Sequence, residues 1–188
     1  MIRLVPERVV LLLPGAGYSP QRPLLHFAGA VFASHGWTVR EIHWPMRPPQ
    51  RDGQNLTDWF TRLRAFTLTY VDQLLEQETA SEIALVGKSM GAFAAAAAAD
   101  RSLPGVWLTP ILRDTVLPAD LRRCRAPFLL AGSLTDPSWD SKTAHHLGHA
   151  VYETTGADHS LEFPADPPAS TRVLHELTTV MNDFVSRL

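Results

Sequence analysis

Val9-Val10-Leu11-Leu12-Leu13 is a continuous apolar run with no polar alternation. A strand with one face in water alternates polar and apolar side chains, whereas a strand covered on both faces has no need to. Similar runs recur at Ile83-Ala84-Leu85-Val86, Gly105-Val106-Trp107-Leu108 and Pro127-Phe128-Leu129-Leu130-Ala131-Gly132. Trp37 to Ile42 and Ala150 to Glu153 read as further strands. Helical spacing fills the gaps. Leu24, Phe27, Ala28, Val31 and Phe32 mark one helix, which opens near Pro23 and ends at Gly36. Trp59, Phe60, Leu63, Tyr70, Leu74 and Leu75 mark a long one from Leu56. Phe93 to Ala99 is strongly helix-forming, and Ser138 to Leu147 reads as a short helix. Val173, Leu177, Val180, Met181 and Phe184 mark the last helix, with Ser170 as its predicted cap. Each crossover contains a helix or is long enough for one. The pattern predicts an α/β fold: a three-layer α/β/α sandwich around a mostly parallel sheet of about six strands.

A chain of 188 residues, 45% apolar and 19% charged, fits one soluble globular domain over residues 1–188. The net charge of -2, with no basic patch, argues against a nucleic-acid partner. The single cysteine, Cys124, allows no internal disulfide and points to a reducing, cytoplasmic setting. Val9 to Leu13 is too short to cross a membrane and runs straight into a glycine loop, so it reads as a strand and not as a signal peptide. Nothing in the composition specifies an oligomeric state.

In sheets of this kind ligands bind at the carboxyl ends of the strands, and three such ends carry chemistry. Gly87-Lys88-Ser89-Met90-Gly91 follows the Ile83 strand and opens a helix, the context in which G-x-S-x-G is a nucleophile elbow. The tight turn excludes side chains at Gly87 and Gly91 and sets Ser89 at a helix N-terminus, where negative charge is favoured. Asp136 lies in the loop after the Phe128 strand, and His159 in the loop after the Val151 strand. The order Ser89, Asp136, His159 is the one that accompanies this elbow. Ser89 is then the nucleophile, His159 the base that takes its proton, and Asp136 the group that orients the imidazole. Asp114, Asp140 and Asp158 are rivals to Asp136, Asp114 because it sits in the loop after the Trp107 strand. His145, His146 and His149 form an H-H-x-x-H cluster on an expected helix, read as a solvated face and not as a metal site. Lys88 reads as a solvent-side residue beside the elbow.

Together, Pro14-Gly15-Ala16-Gly17, the elbow, Gly132 through Asp136 and Gly156-Ala157-Asp158-His159 resemble a short α/β-hydrolase without a cap domain. The resemblance runs from Val9 to the last helix and implies six core parallel strands. It implies an oxyanion hole formed by the backbone N–H groups of Met90 and Ala16, with Gly17 or Tyr18 as alternatives to Ala16. Lys88 before the nucleophile, and Pro14 where many relatives carry His, depart from larger members and leave the substrate open. Tyr18, Trp44, Ile111 and Trp139 are candidates to line an apolar acyl or aryl pocket, against a plain packing role. The expected activity is hydrolysis of a small-molecule ester or thioester through an acyl-enzyme, with no cofactor, no metal and no membrane partner. A non-catalytic binding or scaffold protein on the same fold, and an acyltransferase with the same triad, are the alternatives.

Overall fold

A computed structural model describes residues 7–188. Six strands, β1 (Arg8–Leu13), β2 (Thr38–Glu41), β3 (Glu82–Lys88), β4 (Gly105–Leu108), β5 (Phe128–Ser133) and β6 (Ala150–Thr154), form one sheet in the order β2-β1-β3-β4-β5-β6. Every neighbouring pair is parallel, so the sheet is wholly and not just mostly parallel. The four central strands are those whose sequences lack alternation. Val9 to Leu13, Ala84 to Val86, Val106 to Leu108 and Leu129 to Ala131 are each no more than 2% exposed. Edge strand β2 instead carries Arg40 and Glu41 into solvent.

Six α-helices cover the sheet: α1 (Pro23–Ser34), α2 (Leu56–Gln77), α3 (Ala95–Arg101), α4 (Val116–Leu121), α5 (Ser141–His146) and α6 (Pro167–Val185). The two-residue period of the strands divides the core into two layers. Val9, Leu11, Leu13, Leu85, Trp107 and Leu130 pack with α2, α3 and α4. Val10, Leu12, Val86, Leu108 and Leu129 pack on the other face with α1 and α6. The three-layer α/β/α arrangement follows from that division.

Three local expectations change, and one crossover proves to hold a short helix. Phe27 faces outward, 39% exposed, with its ring edge against His26. The alanine run does not begin as an α-helix at Phe93: Ser89–Ala94 forms a 3-10 turn, and α3 starts at Ala95. The connection at 110–126 contains α4, too short, and too interrupted by Pro118, to show helical periodicity. The last helix starts earlier than Ser170. Pro167 and Pro168 occupy its first positions, where a missing N–H costs nothing, and the Asp166 side chain caps it by accepting from the Ala169 N–H. Ser170 Oγ instead accepts the Phe163 N–H at 2.7 Å, tying α6 to the loop before it.

Candidate active site

Parallel pairing brings all six carboxyl ends to one edge of the sheet. At the centre, β3 gives way to Ser89, whose φ of +53° lies in the left-handed region that costs energy for any residue with a Cβ. The flanking glycines make that turn possible. A Cβ on Gly87 would lie 2.5 Å from the Gly91 carbonyl oxygen, and one on Gly91 would collide with the Leu13 carbonyl oxygen at the end of β1. From behind, the buried Thr67 of α2 donates to the Met90 carbonyl at 3.5 Å.

Asp136 sits in the turn after β5, 1% exposed. Its Oδ1 accepts the Ser138 N–H at 2.8 Å, and its Oδ2 accepts from His159 Nδ1 at 2.7 Å. Burial pushes the carboxyl up. The His159 hydrogen bond and charge, the Ser138 N–H and the Lys88 charge together more than offset this and hold it below the ordinary aspartate value. An ionised carboxylate can only accept, so His159 carries its proton on Nδ1. Nε2 is left with a lone pair, and Ser89 Oγ lies 2.9 Å from it. The three side chains therefore form a continuous hydrogen-bonded chain from a buried carboxylate to a hydroxyl on a strained turn. Such a chain can take a proton from Ser89 and hold the charge that results.

The loops that carry Asp136 and His159 are stapled together. Thr135 Oγ1 donates to the Ala157 carbonyl at 2.7 Å. Asp158 Oδ1 accepts the Ser160 and Glu162 N–H groups at 2.7 and 3.0 Å, which folds the His159 loop on itself. Asp158 is thus committed to its own loop. Asp140 caps α5 through the Thr143 N–H, and Asp114 accepts from the Val116 N–H and Thr57 Oγ1. Among the described residues, Asp136 is the carboxylate paired with His159.

Gly15 and Tyr18 close a turn as an isolated antiparallel bridge, with Ala16 and Gly17 exposed between them. The Tyr18 N–H donates to the Gly15 carbonyl at 3.5 Å and is thereby engaged in its own turn. The Ala16 and Gly17 amides make no backbone hydrogen bond among the described residues and are free for a ligand oxygen, as is the Met90 amide at the start of the 3-10 turn.

Two of the four pocket candidates lie elsewhere. Trp139 is 2% exposed: its indole lies against Gly132, where a Cβ would overlap it, and its Nε1 donates to Glu153 at 2.6 Å. Ile111, 7% exposed, belongs to the core on the α2 side. Both are packing residues, and Trp139 braces the turn that presents Asp136, its N–H donating to the Asp136 carbonyl at 3.0 Å. Tyr18 and Trp44 do line a space, an open groove of about 500 Å³ bounded by the Gly15–Gly17 turn, Met46 and Arg47. Trp44 is fixed there by donating from Nε1 to the Pro14 carbonyl at 3.3 Å and by its contacts with Phe66 and Tyr70. The Tyr18 hydroxyl accepts the Leu24 N–H at 3.0 Å, and burial pushes its pKa up to about 12.

Lys88 is not on the solvent side. It is 3% exposed, with its ammonium over the Tyr18 ring, and burial lowers its pKa to about 8. The signal was present: Lys88 follows Ala84 and Val86 at the two-residue period of a face that is wholly covered. The histidine cluster also differs from expectation. α5 ends at His146, so His149 leaves the helix and stacks on Phe128, ring centroids 3.7 Å apart. Among the described residues no group of three His, Cys, Asp or Glu side chains is arranged to hold a metal ion. None of the described helices is long and apolar enough to cross a membrane.

No protein-family model and no curated protein matches this sequence. Solved structures do resemble the fold. Est1E from Butyrivibrio proteoclasticus superposes with a TM-score of 0.69 at 10% identity, over 99% of this chain and 90% of that one. A predicted CIB-like hydrolase from Thermoplasma acidophilum gives 0.71 at 14% identity, over 100% and 90%. XC6422 from Xanthomonas campestris, described as an α/β serine hydrolase without lid, gives 0.60 at 17% identity, over 98% and 83%. The fold is that of the α/β hydrolases.

Proposed function

We propose that the protein is a serine hydrolase that cleaves a small ester or thioester through an acyl-enzyme on Ser89. The observation that carries this reading is the unbroken contact from Asp136 through His159 to Ser89, at 2.7 and 2.9 Å. A scaffold with a disused site has no need to keep a serine strained and aligned with a base. Ser89 Oγ attacks the carbonyl carbon while His159 Nε2 takes its proton. The carbonyl π pair moves onto oxygen, which the Met90 and Ala16 N–H groups receive. Such donors contribute about 2.7–4 kcal/mol each to the transition state. As the tetrahedral species collapses, the bond to the leaving alcohol or thiol breaks and His159 returns the proton to it. Water then repeats the sequence and releases the acid and free Ser89.

The groove beside Trp44 and Met46 is the acyl or aryl site of this reading, open because the longest connection over that edge is the 42–55 loop and not an inserted domain. Est1E has been solved with ferulic acid bound, which brings aryl esters into the substrate panel. The proposed setting is a reducing compartment such as the cytoplasm, on the ground that the single cysteine, Cys124, allows no disulfide within the chain.

The test is fluorophosphonate labelling and hydrolysis of activated esters and thioesters. The wild type is expected to label, and Ser89→Ala and His159→Ala to lose labelling, with hydrolysis reduced on the order of 10⁴–10⁶-fold. Wild-type hydrolysis that survives Ser89→Ala would remove the acyl-enzyme.

A further inference from the structure

The Lys88 ammonium makes no ion pair and no hydrogen bond among the described residues, although the residue is 3% exposed and directly precedes Ser89. An ammonium taken so largely out of water without a paired carboxylate is costly, which directs attention to what it touches. What the side chain touches is informative. Its Nζ lies 4.9 Å from the centroid of the Tyr18 ring, within the range of a cation–π contact. Its Cδ lies where a Cβ on Gly15 would meet it at 3.4 Å. The Lys88 side chain therefore lies on the Tyr18 ring and passes close beside Gly15, at the two ends of a turn whose own closing hydrogen bond is long, 3.5 Å. That turn presents the Ala16 N–H.

We propose that Lys88 is a positioning residue whose ammonium, seated on the Tyr18 ring, holds the Gly15–Tyr18 turn in place so that the Ala16 N–H meets the oxyanion beside the Met90 N–H. The inference rests on the acyl-enzyme reading above. It gives the charge a use that a neutral side chain of the same shape cannot fill, because the grip is lost when the ammonium loses its proton.

The groups around Lys88 set when that happens. Asp136 faces it from the turn after β5, Asp158 and Glu162 from the loop after β6, and all favour the charged form. Arg22, before α1, opposes it, although Arg22 also lies over the Tyr18 ring at 4.6 Å and pairs with Glu162 at 3.6 Å. Tyr18, with its own pKa raised to about 12, stays neutral throughout. Burial outweighs the three carboxylates, and the ammonium titrates near 8.

The test is the rate at which a fluorophosphonate labels Ser89 between pH 6 and 10, in the full chain. The wild-type rate is expected to fall about tenfold above pH 8, as the ammonium loses its proton and the cation–π grip is lost. Lys88→Met keeps the stem without the charge, so it should label about tenfold more slowly at pH 7 and show no alkaline fall. Tyr18→Leu should label slowly at pH 7 and lack the alkaline fall, since it leaves no ring for the ammonium to grip, while Tyr18→Phe should keep the fall. Lys88→Arg stays charged at every pH tested and should lack the fall whatever its absolute rate, which decides the matter if the Met variant does not fold. An alkaline fall that persists in both Lys88 variants, or a Lys88→Met rate at pH 7 equal to wild type, would overturn the proposal. A wild type that is folded and never labels would instead overturn the acyl-enzyme reading beneath it.

Discussion

Holding Lys88 inside the protein works against the stability of the fold. Burial lowers its pKa from 10.5 to about 8, with Asp136, Asp158 and Glu162 opposing and Arg22 adding to the shift. At about 1.4 kcal/mol per pH unit, the charged residue costs the native state ~3 kcal/mol wherever it is protonated both folded and unfolded. The sign follows from proton counting. Below pH 8 both states hold the proton and the cost is complete. Between the two values the unfolded chain binds more protons than the native one, so stability climbs with pH, and above the unfolded value the cost is gone. Lys88→Met should therefore be more stable than wild type at pH 7 by up to ~3 kcal/mol, and the gain should disappear near pH 10.5. Urea denaturation at pH 7 and pH 10.5 measures both. Trp139 makes the contrasting case: it is fully covered, its one polar atom is satisfied by Glu153, and its place in the core needs no functional account.

At the scale of elements, the site depends on how closely the elbow approaches the end of β1. Gly91→Ala would drive a methyl into the Leu13 carbonyl, a backbone atom that cannot rotate aside. The expected cost is about 2–3 kcal/mol, in the range of core overpacking, together with slower labelling of Ser89 because the elbow must retreat from the Gly15 turn. Gly17→Ala, in the same region but with nothing within 4 Å of the new Cβ, should alter stability by less than ~0.5 kcal/mol. Thermal melts of the two variants make the comparison. Contacts of this kind explain what the sequence could reveal. The central strands were legible because Val9 to Leu13 and its counterparts lack alternation, and the hydrogen-bonded set was legible because Ser89 and Asp136 follow two of those strands and His159 follows β6. Element ends were less so: two prolines drew the start of α6 upstream of Ser170, and α4 is only six residues long. Of the four candidate lining residues, Tyr18 and Trp44 border an open groove, while Trp139 folds back under Gly132 in a contact that no local pattern encodes. The partners of Asp114, Asp140 and Asp158 are likewise set by loop geometry, which spacing alone does not carry.

Across the whole molecule, the candidate site and the packing that stabilises the fold occupy different places. Ser89, Asp136 and His159 stand at strand ends along one edge of a parallel sheet, and the two apolar layers that hold the sheet lie on its faces. Leu177 of α6, 0% exposed, packs in the layer shared with α1, on the third turn of the helix away from the loop that carries His159. Truncating a buried leucine to alanine typically costs about 2–5 kcal/mol. In a domain of this size that corresponds to a fall in Tm of roughly 10 °C. The positions of Ser89, Asp136 and His159 are fixed by strand ends and by contacts such as Thr135 to Ala157, none of which includes Leu177. Leu177→Ala should therefore lower Tm by roughly 10 °C while the labelling rate of Ser89, measured well below the new Tm, stays within about twofold of wild type. Lys88→Met should do the reverse, raising Tm at neutral pH while slowing labelling. If Leu177→Ala slowed labelling as much as it lowered Tm, the α6 layer would be part of the catalytic support, and the division between the edge that reacts and the faces that stabilise would have to be given up.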